Sequence, residues 1–400
     1  MKKVLFALVI AILEFSTSSF AQVPKKHLYY AITNDDNPDG NTATVFQFDG
    51  SAISVIQTLH TGGKGLGGGY YSESRVAIEN SGKCLFISDA GSDDIAAFAE
   101  TSKDPLTFNP TPNIVVAGSG SESGFGLAAT PDGKLLFASL DVSEQIGIFE
   151  VGAGCTLTKL GDITEHDRIG PMSMSNDGKV LIVPEPYNSV VDAFSISKTP
   201  PYLWPLGASI SFNSVSGCSS VGCYPASLDF SAVENGKATV VEGNATLSGP
   251  YYFTYELDEK TGLSQSSFTL NELTGTTLGD IENPWYSSAA LTGNGLIYFG
   301  ATGDGFAAGI SANKVTAGVI NSASAGWYGL HNFGLAGNIQ STGRAATQGK
   351  EYVWQTAVGT TNTVYIYKST GTGAIMPFTS LVNPNGTGTS VFSITSYPKR

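Results

Sequence analysis

The sequence predicts an all-β fold, a seven-bladed β-propeller closed by pairing of its N-terminal and C-terminal strands. Three observations carry that expectation. A Gly-containing turn keeps returning: Asp132-Gly133-Lys134, Asn176-Asp177-Gly178-Lys179, Asn235-Gly236-Lys237, Asn294-Gly295 and Gln348-Gly349-Lys350, with Ser81-Gly82-Lys83 as a weaker copy. Each copy leads into an apolar run, such as Leu135-Leu136-Phe137-Ala138 or Val180-Leu181-Ile182-Val183. The recurrence falls every 45–60 residues or so (roughly), the mark of a repeat architecture. The third observation is composition: 48 glycines, few basic residues and abundant Thr, Ser, Tyr and Phe suit a turn-rich β protein.

Each unit reads as four short strands. The inner strand comes first, at residues 75–79, 125–129, 172–175, 226–230, 286–290 and 344–347. The turn follows, because a two- or three-residue hairpin needs a residue at positive φ. The apolar run is the second strand, and seven of these begin near residues 28, 84, 135, 180, 238, 296 and 352. A polar loop rich in Asp, Asn and Gly leads to an alternating third strand, at 43–48, 94–98, 145–149, 190–194, 251–255 and 363–367. A looser fourth strand and a long loop return the chain to the next unit. The sixth unit is the least regular, because residues 307–312 make a weak third strand.

Closure follows from the two ends. The chain opens on a second strand, residues 28–32, with no inner strand before it, and it ends on an unpartnered strand at residues 390–395. If the last strand supplies the missing inner strand of the first unit, the ring closes and no sheet edge is left open. An open solenoid would instead expect shorter repeats and capping ends.

Met1-Lys2-Lys3, an almost wholly apolar run from Val4 to Leu13, and the small-x-small end Ser19-Phe20-Ala21 predict a signal peptide over residues 1–21. Glu14 interrupts the run well before the 18 or so apolar residues a membrane anchor needs. Residues 22–400 then form one propeller domain, secreted or periplasmic, with no membrane span. The chain carries 21 basic against 34 acidic side chains, a net charge of −13. Such a surface argues against nucleic acid or an anionic membrane as partner. A monomer is expected.

Four cysteines remain. Cys218-Ser219-Ser220-Val221-Gly222-Cys223 can close a small loop in an oxidising compartment. Cys84 heads a strand and reads as a small buried hydrophobe, and Cys155 follows a Gly-rich turn and reads as free. No spacing resembles a zinc site.

In a propeller, the second-to-third and fourth-to-inner loops open on one face. That placement gathers His60, Arg75, His166, Asp167, Arg168, Glu185, Glu282, Trp285, Trp327 and His331 on the loop-rich face. Hydrolysis of an acyl bond needs a general acid or base and a cation or donor for the developing oxyanion; His166, Arg168 and Glu185 are the candidate catalytic set. The bland alternative is a solvated loop at 166–168, with Glu185 paired to a neighbouring backbone N–H. Arg75, Glu282, Trp285, Trp327 and His331 are the candidate ligand-binding set. Asp35-Asp36-Asn37-Pro38-Asp39-Gly40 holds the first half of a calcium loop, with Asp35, Asn37 and Asp39 as alternate oxygen ligands. Phe46 stands where the bidentate Glu would be, and a polar turn explains the same residues. No Gly-rich phosphate loop precedes a helix and no complete Gly-x-Ser-x-Gly is present, so neither a nucleotide cofactor nor a serine hydrolase is indicated. No cofactor is required; calcium is the one candidate.

The unit Thr130-Pro131-Asp132-Gly133-Lys134-Leu135-Leu136-Phe137-Ala138-Ser139, followed by Gln145-Ile146-Gly147-Ile148-Phe149, resembles the YVTN and lactonase-type seven-bladed propellers. That superfamily includes bacterial 6-phosphogluconolactonase and fungal muconate-lactonising enzymes. The resemblance implies histidines at the start of one inner strand and an acidic, Gly-containing segment after the next strand. In the matching stretch, Met172 and Met174 stand where the imidazoles are expected. Glu185 replaces the acidic residue, and Pro186-Tyr187 follows it. Three readings result: binding of a small molecule, sugar or protein on the loop-rich face, a lactonase-like hydrolase, or a cell-surface interaction protein. Fold alone does not choose among them.

Overall fold

A computed structural model describes residues 27–67, 74–118, 125–214, 217–218, 223–230, 233–244, 251–272, 286–291, 296–302, 308–316, 319–330, 335–341, 351–358, 362–369, 375–386 and 393–398. The strands assemble into seven antiparallel sheets, each built from the inside outwards in chain order. The first blade is the exception that closes the ring. Its second, third and fourth strands are Tyr29–Asn34, Thr42–Phe48 and Ile53–His60, and its inner strand is Ile394–Tyr397 from the other end of the chain. Tyr30 faces Tyr397 and Thr33 faces Ile394 across that seam. Of the expected closing strand 390–395, residues 390–392 lie outside the described residues, and Ile394 and Thr395 fall in the paired strand.

The recurring turn is the same device in successive blades. In the third blade, Gly133 at φ +65° lets the hairpin close, and its N–H donates to the Thr130 carbonyl at 2.8 Å. The Thr130 hydroxyl also accepts the main-chain N–H groups of Lys134 and Leu135. In the fourth blade, Gly178 at φ +74° and the Ser175 hydroxyl do the same for Lys179 and Val180. A positive φ is strained for any residue with a Cβ, which is why the Gly recurs while its neighbours vary.

Apolar second and third strands pack between neighbouring blades. One cluster built on Phe46, Phe48, Tyr352 and Trp354 joins the seventh blade to the first. Another, with Phe137, Ile146, Met172 and Val183, joins the third to the fourth. The seam is also polar. Asp35, fully buried, accepts hydrogen bonds from the hydroxyls of Thr33, Thr42 and Thr44 and from Asn383 Nδ2, each at 2.7 Å. Asn385 Nδ2 adds bonds to the hydroxyls of Thr44 and Thr58. Buried polar groups tolerate desolvation only when satisfied in this way.

Two expectations are corrected here. Cys84 and Cys155 are joined in a disulfide, with Cα atoms 5.6 Å apart. Neither is a lone hydrophobe nor a free thiol. The bond ties the second strand of the second blade, Cys84–Asp89, to the turn Ala153–Cys155 of the third. The Cys218–Cys223 disulfide forms as expected. The inner strand of the seventh blade is Leu335–Ser341; residues 344–347, proposed for it from the sequence, lie outside the described residues. The irregular sixth unit does supply a third strand, Ala308–Thr316. Two blades gain an extra edge strand, Asn113–Val116 in the second and Ile210–Ser211 in the fourth. Among the described residues no helix is long and apolar enough to cross a membrane.

Candidate functional site

The inner strands leave a narrow central cavity of about 160 Å³, lined among others by Val76, Leu127, Met172, Met174, Asp229 and Thr395. Its lining is mainly polar, with Asn80, Asn176 and Asp229 among the residues that face it, while Met172 is buried in the core between the third and fourth blades, as a packing residue would be. The candidate catalytic residues gather off the axis, at the loop-rich mouth between those same two blades.

Three chain segments meet there. The fourth strand of the third blade, Leu157–Thr164, ends immediately before Glu165-His166-Asp167-Arg168. The second strand of the fourth blade, Val180–Glu185, ends on Glu185, and its third strand, Val190–Ile196, brings in Asp192. Gly170 lets the incoming loop press on the fourth blade. Its N–H donates to the Pro184 carbonyl at 2.8 Å, and a Cβ there would sit 3.1 Å from Pro186 Cγ and 3.3 Å from Pro184 Cγ.

Glu185 is fully buried. Its Oε1 accepts the His166 main-chain N–H at 3.2 Å, and its Oε2 accepts Asn188 Nδ2 at 3.4 Å. Burial pushes its carboxyl above the usual range, and these two donors pull it part of the way back. His166 itself is exposed, and its hydrogen bond to Glu185 runs through its main chain. Arg168 is half-buried, with its guanidinium carbon 5.5 Å from the centre of the Tyr187 ring, a cation–π distance. Tyr187 is 52% exposed. The structure thus brings His166, Arg168 and Glu185 to one mouth, with Glu185 fixing the loop that carries the other two.

Sequence reasoning missed two residues of this mouth. Glu165 and Asp192 each place a carboxylate oxygen within 4.8 Å of one from Glu185. Glu165 is buried, and its carboxyl is pushed up to about 8 by burial first and then by the charges of Asp192 and Glu185. Asp192 is half-buried; its Oδ1 accepts the Ser209 hydroxyl in a short hydrogen bond, while its Oδ2 is buried with no hydrogen-bond partner. One sequence signal was available. Asp192 occupies the third position of its strand, where the second and third blades carry Ala96 and Gly147.

The other candidates fall elsewhere. Arg75 is fully buried and pairs with Asp36 at 2.9 Å, both side chains being about 1% exposed. Its charge is committed inside the protein, which removes it from the ligand-binding set. The calcium-loop residues do not converge. Asp35 turns inward to the Thr and Asn donors of the seam, Asn37 Oδ1 accepts the Asp39 N–H at 3.0 Å, and Asp39 is exposed. Among the described residues the one group of three acidic, His or Cys side chains spaced for an ion is Glu165, Glu185 and Asp192. Glu282, Trp285 and His331 lie outside the described residues. Trp327 lies on the strand Val319–Leu330, with its side chain outside them.

No protein-family model and no curated protein matches the sequence. Solved structures do. A 6-phosphogluconolactonase-like protein from Bacteroides fragilis aligns over 92% of this chain and 98% of its own, with 14% identity and a TM-score of 0.60. A second, from Bacteroides uniformis, aligns over 89% and 99% with 14% identity and a TM-score of 0.62. The periplasmic gluconolactonase of Pseudomonas aeruginosa aligns over 92% and 99% with 12% identity and a TM-score of 0.61. The closed ring of seven sheets and these full-length alignments agree: this chain has the fold of the lactonase-type seven-bladed β-propellers.

Proposed function

We propose that the protein binds a small polyhydroxylated or anionic molecule at the mouth between its third and fourth blades. The observation that carries this reading is the Arg168–Tyr187 pair, a cation lying along an aromatic ring that is itself half open to solvent. An aromatic face takes the apolar side of a sugar ring, and a guanidinium takes a carboxylate or phosphate bidentately. In a chain of net charge −13, a cation placed there is where an anionic ligand finds attraction. The two disulfides suit an oxidising compartment, from which we infer a location outside the cytoplasm.

A second reading, lactone hydrolysis, is favoured by the fold shared with a periplasmic gluconolactonase. Here the exposed His166 imidazole would activate water and Arg168 would stabilise the oxyanion. Glu185 would act as a positioning residue, since its carboxyl is buried and spent on the His166 main chain and Asn188.

One experiment addresses both. The purified chain is titrated calorimetrically with gluconate and assayed for opening of gluconolactone. Binding weakened at least about tenfold by both Arg168→Met and Tyr187→Ala supports the first reading; no binding, or binding indifferent to both, ends it. Turnover lost in His166→Ala would promote the second reading over the first.

A further inference from the structure

The three carboxylates at the mouth set a problem that the ligand reading does not use. Carboxylate oxygens of Glu165, Glu185 and Asp192 all lie within 4.8 Å of one another. Each like charge brought into a partly dry site raises the cost of the others. Two buried carboxylates at the joints of the first blade are neutralised or saturated: Asp36 has Arg75 at 2.9 Å, and Asp35 has four side-chain donors. Asp89 Oδ2 and Glu242 Oε1, like Asp192 Oδ2, are instead buried without a hydrogen-bond partner. No described ion pair involves Glu165, Glu185 or Asp192.

A cluster of acids alone would mean little, but the atoms facing one another here are short of donors. Glu165 is only 8% exposed, and no donor among the described residues reaches its carboxyl. Asp192 Oδ2 is likewise buried without a hydrogen-bond partner. The donors present reach the other oxygens. Ser209 holds Asp192 Oδ1, and the His166 N–H and Asn188 hold the two oxygens of Glu185. Asp192 thus has one oxygen held by a hydrogen bond and the other bare, the way a metal ligand is usually supported, and the Glu165 carboxyl has no donor at all among the described residues.

We propose that Glu165, Glu185 and Asp192 form a binding site for one hard divalent cation, calcium in preference to magnesium, at the rim between the third and fourth blades. An all-oxygen, all-carboxylate donor set excludes the softer ions that want nitrogen or sulfur. Ligand number chooses within the hard ions: magnesium dehydrates reluctantly and is usually held through one or two carboxylates, whereas calcium accepts several. Three carboxylates with oxygens all within 4.8 Å of one another can close on one calcium ion. The ion would join the end of one blade to two strands of the next and hold the loop that carries His166 and Arg168. This site is distinct from the sequence-predicted loop at Asp35, Asn37 and Asp39, whose oxygens are directed elsewhere.

The test uses the full chain, stripped with EDTA, dialysed and titrated with calcium chloride, with magnesium chloride in parallel. Calorimetry should show a single ion per chain, and thermal melting should show a rise in Tm of roughly 3–6 °C at saturating calcium, with a smaller response to magnesium. Glu165→Gln and Asp192→Asn each remove a repelling charge, so both should fold, and both should lose the response. Asp39→Ala, in the other acidic loop, and Tyr187→Ala, in the ligand face, should keep it, which separates this site from both. A stripped wild-type chain that takes up no calcium would show that protons alone reconcile the three carboxylates, and would overturn the assignment. So would Glu165→Gln and Asp192→Asn variants that bind calcium as the wild type does.

Discussion

Asp35 and Glu165 are both carboxylates buried at the loop-rich ends of their blades, and the fold treats them in opposite ways. Asp35 sits where the seventh blade meets the first and receives four side-chain donors, three hydroxyls and an amide. Glu165 sits where the third blade meets the fourth and receives none among the described residues; its nearest polar neighbours are two more carboxylates. Burial raises the pKa of both. The first is a joint, with polar groups satisfied so that the ring stays sealed. The second is left electrostatically unfinished, and unfinished buried charge is where binding and chemistry tend to reside. The two regions should therefore respond in opposite directions when a charge is removed.

The largest effect is expected in the closed region. Arg75→Ala leaves the Asp36 carboxylate buried without its partner, at a cost of about 3–5 kcal/mol. Chemical denaturation followed by fluorescence reads this as a large fall in the urea midpoint. A loss under about 1 kcal/mol would mean that the junction of the first and second blades is less tightly determined than this buried pair suggests. Next comes the link between the second and third blades. Cys84 and Cys155 are 71 residues apart in the chain, so Cys155→Ser releases a long loop in the unfolded state and should cost about 4 kcal/mol. Cys218 and Cys223, 5 residues apart, close a far smaller loop, and Cys223→Ser should cost about half as much. Equal losses would argue that native contacts, rather than chain entropy, set the contribution of the longer link.

These differences bear on what a sequence alone discloses. The Gly-containing turns, the apolar second strands and the ring closed through Tyr29–Asn34 were legible, because each rests on a local pattern that repeats. The inner strand of the seventh blade was misplaced because Leu335–Ser341 contains Gly337-Asn338, which reads as a turn; the structure accommodates it as an irregularity in register between Ala336 and Ile339. The Cys84–Cys155 pairing joins two blades, and neither cysteine's neighbours announce the other. The mouth was half legible. His166, Arg168 and Glu185 stood out by residue type, whereas Glu165 and Asp192 acquire meaning only when two strands and a loop from adjacent blades are laid side by side. Interblade proximity, the one quantity a repeat does not encode locally, is what separates the readable part from the rest.

The smallest effect is the most discriminating, because its sign depends on pH. Glu165 has its carboxyl pushed up to about 8 in the folded chain, against an ordinary value of 4.5. Between those values the folded state holds a proton that the unfolded state releases. The contribution of this group to stability is therefore fully present below about pH 4.5 and is lost as the pH rises through 8. Glu165→Gln removes the charge and keeps the shape. In the presence of EDTA the variant should match the wild type at pH 4.5 and exceed it at pH 8 by about 1–2 kcal/mol, after allowance for solvent screening at the mouth. Asp35→Asn, measured in parallel, should lose stability, since its amide NH₂ would face donors rather than acceptors. Urea denaturation at the two pH values decides the matter. If the Glu165→Gln gain is absent at pH 8, or if both substitutions destabilise alike, the carboxylates of the mouth are as well satisfied as those of the seam, and the contrast between joint and mouth fails.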